Sequence, residues 1–295
     1  MSAESRIVLA GAGAGLVAGL LGAVVSLITV EPSLSAAIDY ESMRSAAEAT
    51  IGTGAATGGH HHHGAIDLAA GGGEEEVVPR AVQASVGVFL SVGLFGMAMG
   101  LLIAVAAYGL QKMLPDLSAR RAALVAGTLA LVGGFLVPYA KYPSNPPAIG
   151  SHDDLVARTL AYYSMVAISV FAMTIAVVVA ARLSARWGWF AAIVAVGVGY
   201  LVVVLAAAAF LPSVAQMVGA ASEMPGPVMD GDDIVLDGYP AAVIGGFRLG
   251  SLLVATTIFG GATVLLAALL GFRGRGRGAA VATPGVASGE LVSAG

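Results

Sequence analysis

Six stretches of this chain, residues 7–30, 84–110, 122–139, 160–181, 188–211 and 242–270, are too long and too uniformly apolar for the interior of a soluble fold. Each carries about 18 or more residues with almost no charge, enough at ~1.5 Å of rise per residue to cross a hydrocarbon core of roughly 30 Å as a helix. Barrel strands would be shorter and would alternate apolar with polar side chains, and these stretches do not. Composition agrees, since 58% of the residues are hydrophobic and 11% charged, against roughly 45–50% and 25% in soluble domains. The expected fold class is therefore an all-α integral membrane protein, a polytopic bundle of about six transmembrane helices.

The loops give the expected orientation. Numbered alternately, one side receives Arg6, Lys112, Arg120, Arg121, Arg182, Arg186, Arg273, Arg275 and Arg277, nine of the 14 basic residues. The other receives Arg44, Arg80, Lys141, Arg158 and Arg248. The positive-inside bias places both termini in the cytoplasm, in a multi-pass protein of the cytoplasmic membrane. The chain then divides into a cytoplasmic N-terminus with the first span (1–30), an outer His- and acid-rich loop (31–83), spans two and three (84–139), and a Pro-rich outer loop (140–159). Spans four and five (160–211), an acidic outer loop (212–241), the sixth span (242–271) and a disordered cytoplasmic tail (272–295) complete it. A basic start at Arg6 and small residues near Ser35, Ala36 and Ala37 imitate a signal peptide, but the apolar run of 24 residues exceeds the usual 7–15, so the first span is read as retained.

Gly11, Gly15 and Gly19 recur every four residues in the first span, with Gly96 and Gly100 in the second and Gly246 and Gly250 in the sixth. Such spacing lines a helix face with no side chain and lets a second backbone approach, so these glycines read as packing surfaces.

Four of the five histidines, His60, His61, His62 and His63, stand side by side in the first outer loop, in a Gly-rich stretch expected to be mobile without a ligand. In extended chain His60 with His62, or His61 with His63, point to one side and can chelate as a pair. Neutral imidazole suits transition metals, and a run of this kind suits capture and handover better than storage. The alternatives are a tag or a low-complexity spacer. Fifteen of 18 carboxylates fall on the outer side, which either concentrates cations or only keeps the loops soluble. Glu31, Glu41, His152 and Asp153 are further candidate ligands, and Glu74, Glu75 and Glu76 are weaker ones. There is no cysteine, so thiolate metal sites and redox thiols are absent, and the donor set admits Co, Ni, Zn, Mn or Cu(II).

The second outer loop carries the string from Phe135 through Lys141, Tyr142, Pro143, Asn145, Pro146, Pro147, Ile149 and Gly150 to Arg158. It resembles the K-Y-P-x-N-P-P-x-(V/I)-G segment of the CbtA family of cobalt transporter subunits, in which an Arg opens the next span. Val30-Glu31-Pro32 with the stretch from Ala36 to Glu41, the histidine-rich stretch, and Phe247-Arg248-Leu249-Gly250-Ser251-Leu252 are also similar, so the resemblance covers nearly the whole chain. It implies a role in cobalt uptake for cobalamin synthesis, with a small membrane subunit that also bears a histidine as partner. Members are usually described with five spans, one fewer than counted here.

The chain has no G-x-x-x-x-G-K-[ST] phosphate loop, and Lys112 and Lys141 are its only lysines, so ATP hydrolysis by this chain is not expected. No nucleophile and base can be paired at a membrane edge, no enzyme activity or resident cofactor is expected, and neither is a nucleic-acid partner. The span interiors contain no Asp, Glu or His, so an ion crossing here would need Ser164, Ser169, Thr174, Thr256, Thr257, the sulfurs of Met97, Met99, Met165 and Met173, or carbonyls at glycine breaks. Arg248, about one turn inside the sixth span, is expected to snorkel outward or to pair with Glu31 or Asp237. Two functions remain: a carrier that captures a divalent ion, cobalt by the resemblance, at the outer His and carboxylate loop, or a non-conducting accessory subunit that delivers metal to another permease.

Overall fold

A computed structural model describes residues 3–52, 82–147, 149, 155–213 and 224–281. Helix α1 (Ala3–Thr29) is followed after one residue by α2 (Glu31–Gly52). A π-helical turn at Gln83–Gly87 leads into α3 (Val88–Met113), and Pro115 ends the apolar run. The next span is composite: α4 (Ala119–Leu131), a π-helical turn (Val132–Leu136) and α5 (Val137–Lys141). Ser118 caps α4 by accepting the Arg121 N–H through its hydroxyl. Helix α6 (Leu155–Phe210), strands β1 (Val228–Asp230) and β2 (Asp233–Leu236), and α7 (Ala241–Val281) follow.

Five helices are long and apolar enough to cross a membrane, and one of them, Val156–Phe210, has 55 residues. Unbroken, it would be ~80 Å long, more than twice the hydrocarbon thickness. It is broken at Gly188, whose φ of 77° and ψ of 161° lie in a region open essentially to glycine alone. Ser169 and Tyr200, 31 residues apart, share a hydrogen bond of 2.8 Å, whereas one straight helix would hold them ~46 Å apart. The two halves therefore fold back as an antiparallel hairpin, with Ala161, Met165, Tyr200 and Val204 packed in one cluster. The exposed Trp187 and Trp189 flank the turn, where amphipathic rings suit a membrane interface. Counted this way, the chain has the six apolar segments its sequence predicts.

The core joins α1, α3, α4 and α7 through small side chains, Ala14, Ala18, Ala104, Ala107, Ala122, Ala126 and Ala262, with Ile103, Phe259 and Leu266 among them. Glycine sets the closest approach. A Cβ on Gly15 would collide with the Gly96 carbonyl, and one on Gly19 would lie 2.6 Å from the Val92 carbonyl. Packing at this distance replaces the hydrophobic drive that lipid cannot supply between helices. On α7, Gly246 lies under Ser33 and Gly250 under the Thr29 carbonyl, so this pair seats the junction of α1 and α2. The α6 hairpin lies against α5 and the π-helical turn before it, at the side of the four-helix core.

Three features depart from the expectation. The outer segment 31–83 begins as a helix of 22 residues, because Ala and Glu are strong helix formers and no Gly or Pro interrupts residues 33–51. Its Ala37 and Tyr40 pack against Ile149, Tyr239 and Ile244. The third outer loop holds a two-stranded antiparallel hairpin, pairing Met229 with Ile234 and Asp230 with Asp233. Its turn uses Gly231 at φ 60°. The last helix also runs to Val281, ten residues into the segment read as a disordered tail.

Candidate metal-handling surface and membrane path

The end of the bundle that the charge bias of the loops assigns to the outside, called outer here on that reading, is built from three segments laced by tyrosines and arginines onto carbonyls that proline-rich chain leaves outside any ladder. Tyr142 donates its hydroxyl to the Pro212 carbonyl at 2.6 Å, and Tyr239 donates to Pro147 at 3.2 Å. The Tyr239 N–H bonds Pro225 at 2.9 Å. From α2, Tyr40 donates to the Asp237 carbonyl at 3.2 Å, and its ring meets that of Tyr239 edge-on, with centroids 4.8 Å apart. Arg44 extends the lacing, donating to the Gly226 carbonyl at 2.7 Å while its Nε pairs with Glu48 at 2.9 Å. The first, second and third outer segments thus form one plate, to which Arg158 adds a bond to the Ile149 carbonyl at 3.1 Å.

Charge on this plate is placed unevenly. Burial pushes the Tyr239 hydroxyl up to about 12, and the Glu41 carboxylate and Tyr40 add to the shift. Burial also raises Tyr142. Arg248, half-buried on α7, places Nε and Nη2 on Asn145 Oδ1, just beyond the end of α5, at 3.3 and 2.7 Å. Tyr139 donates to the Arg248 carbonyl at 2.6 Å. The acceptor for Arg248 is thus a neutral amide oxygen in the Pro-rich string, where the sequence suggested Glu31 or Asp237.

Of the predicted metal ligands, Glu31 is the first residue of α2 and Glu41 lies further along it, both partly exposed. His60, His61, His62, His63, His152 and Asp153 lie outside the described residues, as do Glu74, Glu75 and Glu76. Among the described residues there is no group of three or more His, Cys, Asp or Glu that could hold a metal ion.

Inside the membrane, the polar residues named from sequence separate into two kinds. Thr174, Thr256 and Thr257 donate to carbonyls four residues back in their own helices, the usual local solution for a hydroxyl in lipid. Ser169 instead reaches another helix. Its hydroxyl donates to the Gly133 carbonyl at 2.7 Å, which leaves its oxygen to accept from Tyr200 at 2.8 Å. Gly133 is available because of Pro138. In the π register, the Val137 N–H bonds Val132, the next donor would be residue 138 onto Gly133, and proline has none. Ser169 is fully buried and Tyr200 8% exposed, with Met165 at 1% in the same cluster.

A family model described as a probable cobalt transporter subunit, CbtA, matches residues 4–271. The chain belongs to the CbtA family. No curated protein and no solved structure matches it. Family membership and the membrane-length helices make this a multi-pass membrane protein of a cobalt transport family. The family match takes in the Pro-rich string and Arg248, and the structure brings the two together through Asn145.

Sequence reasoning missed the tyrosines. Tyr40, Tyr139, Tyr200 and Tyr239 bond across 31 to 197 positions of chain, a separation that local pattern does not encode. One signal was present: Tyr200 is the only tyrosine of the stretch 188–211, and a phenol inside a bilayer requires a partner.

Proposed function

We propose that this CbtA-family chain is the membrane subunit of a divalent-metal uptake system, capturing cobalt on His60, His61, His62 and His63 with nearby carboxylates and passing it into the bundle. Cobalt follows from the family, and imidazole and carboxylate donors are compatible with it. The observation that carries the reading is the anchoring of α2 on the outer plate by Tyr40 and Arg44. Its last residue, Gly52, lies eight residues before His60. At ~3.5 Å per residue that length of chain lets His60 stand at most ~28 Å from Gly52. A small His-bearing membrane subunit is the proposed partner, and we assign the chain no catalytic step.

We also propose the cytoplasmic membrane as its location, with both termini inside, from the nine basic residues on the loops of that side. The absence of cysteine allows a direct test: single cysteines placed in the outer loops should react with an impermeant thiol reagent in intact cells, and those at residues 114–118 should not. The opposite labelling pattern would invert the topology.

Replacing all four histidines with Ala should weaken Co(II) binding by calorimetry without changing membrane insertion, and unchanged affinity would reduce the run to a spacer. A second reading, a non-conducting accessory subunit, is favoured by one observation: no Asp, Glu or His lies within the span interiors. Co(II) uptake by the purified chain in sealed vesicles separates the two. Movement of the ion supports the carrier, and its absence leaves the accessory role.

A further inference from the structure

The end of the bundle away from the outer plate gathers positive charge at one junction. Helices α1 and α7 pack antiparallel there: Thr29 faces Gly250, Gly22 faces Ile258, and Ala18 lies 3.1 Å from where a Cβ on Gly261 would stand. Twelve residues further along each helix, Arg6 stands level with Arg273. Helix α4 runs antiparallel to α7 in the same way, since Gly127 faces Thr263 and the Arg120 Cδ lies 3.3 Å from the Cβ position of Gly271. Ile7 of α1 and Leu270 of α7 pack on one core at this end. Arg6, Arg120 and Arg121 therefore converge on the end of α7, which continues as helix through Arg273, Arg275 and Arg277 to Val281.

Six arginines from three helices share this junction. The carboxylates beside them in sequence are Glu4, two residues before Arg6, and Asp116, four before Arg120. Arg6, Arg120 and Arg121 are exposed and make no ion pair among the described residues. Helix stability disfavours this charge. Arg120 and Arg121 occupy the first turn of α4, which holds no acidic residue although the helix dipole there favours anions. An exposed aliphatic side chain follows one turn deeper below four of the six: Leu9 (58%) below Arg6, Leu124 (38%) and Val125 (41%) below Arg120 and Arg121, and Leu269 (40%) below Arg273. Guanidinium at the membrane edge above exposed hydrocarbon matches the order of an anionic phospholipid, phosphate above acyl chain.

We propose that Arg6, Arg120 and Arg121, with the arginines at the end of α7, form a site for the phosphodiester headgroup of an anionic phospholipid. The acyl chains lie along Leu9, Leu124, Val125 and Leu269. Guanidinium donors pair with phosphate oxygens, and a free phosphate would leave the aliphatic positions below uncovered. The bound anion offsets the mutual repulsion of like charges on three helix ends, so the lipid clasps α1 and α4 to α7.

The test uses the full chain purified in a neutral detergent, with phospholipid added back and bound copies counted by native mass spectrometry. Phosphatidylglycerol should be retained in preference to phosphatidylcholine. At about fivefold per basic residue near an anionic headgroup, Arg120→Gln with Arg121→Gln should weaken that retention ~30-fold. Arg182→Gln with Arg186→Gln removes the same charge from the α6 hairpin, at the side of the core, and should change it by less than about threefold. Arg120→Lys with Arg121→Lys binds phosphate as point charges and should recover part of the loss, which a misfolded variant would not. Equal losses in the two Gln pairs would overturn the site and leave only the general attraction of basic loops for anionic lipid. Equal retention of the two lipids, or no recovery with Lys, would also overturn it. A last arm adds excess inorganic phosphate. Unchanged lipid retention supports the headgroup site, and displacement of phosphatidylglycerol would reassign the arginines to free phosphate.

Discussion

Ser169→Ala is the substitution whose cost the structure specifies best. The hydroxyl makes two bonds, one to the Gly133 carbonyl and one from Tyr200. Interhelical hydrogen bonds in membranes average ~0.6 kcal/mol with a maximum near ~1.7. Two such bonds set a range of about 1–3 kcal/mol. The orphaned carbonyl moves the expectation to the upper part, because Pro138 cannot supply the missing N–H and lipid offers no water. We expect a loss of about 2 kcal/mol, measured by reversible denaturation from bicelles. Thr256→Ala, which removes a bond within one helix only, should cost less than about 0.5 kcal/mol in the same assay. The diagnostic step is to repeat Ser169→Ala in a Pro138→Ala background. The restored N–H can then serve Gly133, and the cost should fall by about half, leaving only the unpaired Tyr200. A Ser169→Ala loss below about 0.5 kcal/mol, or an identical loss with and without Pro138, would refute this account of the bridge.

Other consequences are as direct. Gly15→Ala should destabilise the bundle by about 1–3 kcal/mol through backbone displacement, because the new methyl meets the Gly96 carbonyl. Gly13→Ala, which meets open space, should be neutral or stabilising by up to ~1 kcal/mol, and thermal unfolding of the two variants compares them. Arg44→Ala should speed hydrogen–deuterium exchange in residues 228–236 several-fold while leaving span amides unchanged, since Arg44 ties α2 to Gly226. Tyr239 gives a pH dependence. Its hydroxyl is held neutral, with its pKa raised to about 12 from ~10 in the unfolded chain. Its contribution to the outer plate is therefore complete below pH ~10 and is lost as pH rises toward ~12. Difference absorbance of tyrosinate between the unmodified chain and Tyr239→Phe should show titration late in that interval, and titration near ~10 would contradict the burial.

The helical hairpin in α6 shows how far local reading carries. The basic pair Arg182 and Arg186 between two apolar runs announces a turn, but the backbone stays helical through both and reverses at Gly188 alone. The glycine stripes were legible for a similar reason: four-residue spacing places them on one face whatever that face meets. Their partners were not legible, and the structure pairs the α1 stripe with Gly96 and Gly100 while giving Gly246 and Gly250 to the junction of α1 and α2. Helix α2 was read as loop because its polarity masked a short apolar stripe, Ala37 and Tyr40, that matters only once Tyr239 and Ile244 stand opposite. The histidines remain a reading from sequence, and the interior cluster comes from structure.

The sequence by itself determined that this chain lives in a bilayer, how many apolar segments it has, and which motif relates it to cobalt transport, because hydropathy, length and a contiguous proline-rich string are properties of neighbouring residues. Tertiary structure decided where polar groups meet: Arg248 on Asn145, Tyr239 on Pro147, and Ser169 between Gly133 and Tyr200. The reason is physical. A hydroxyl or guanidinium in lipid must find a partner, but which distant carbonyl or amide it finds depends on how six helices pack around glycine contacts, and no run of adjacent residues records that.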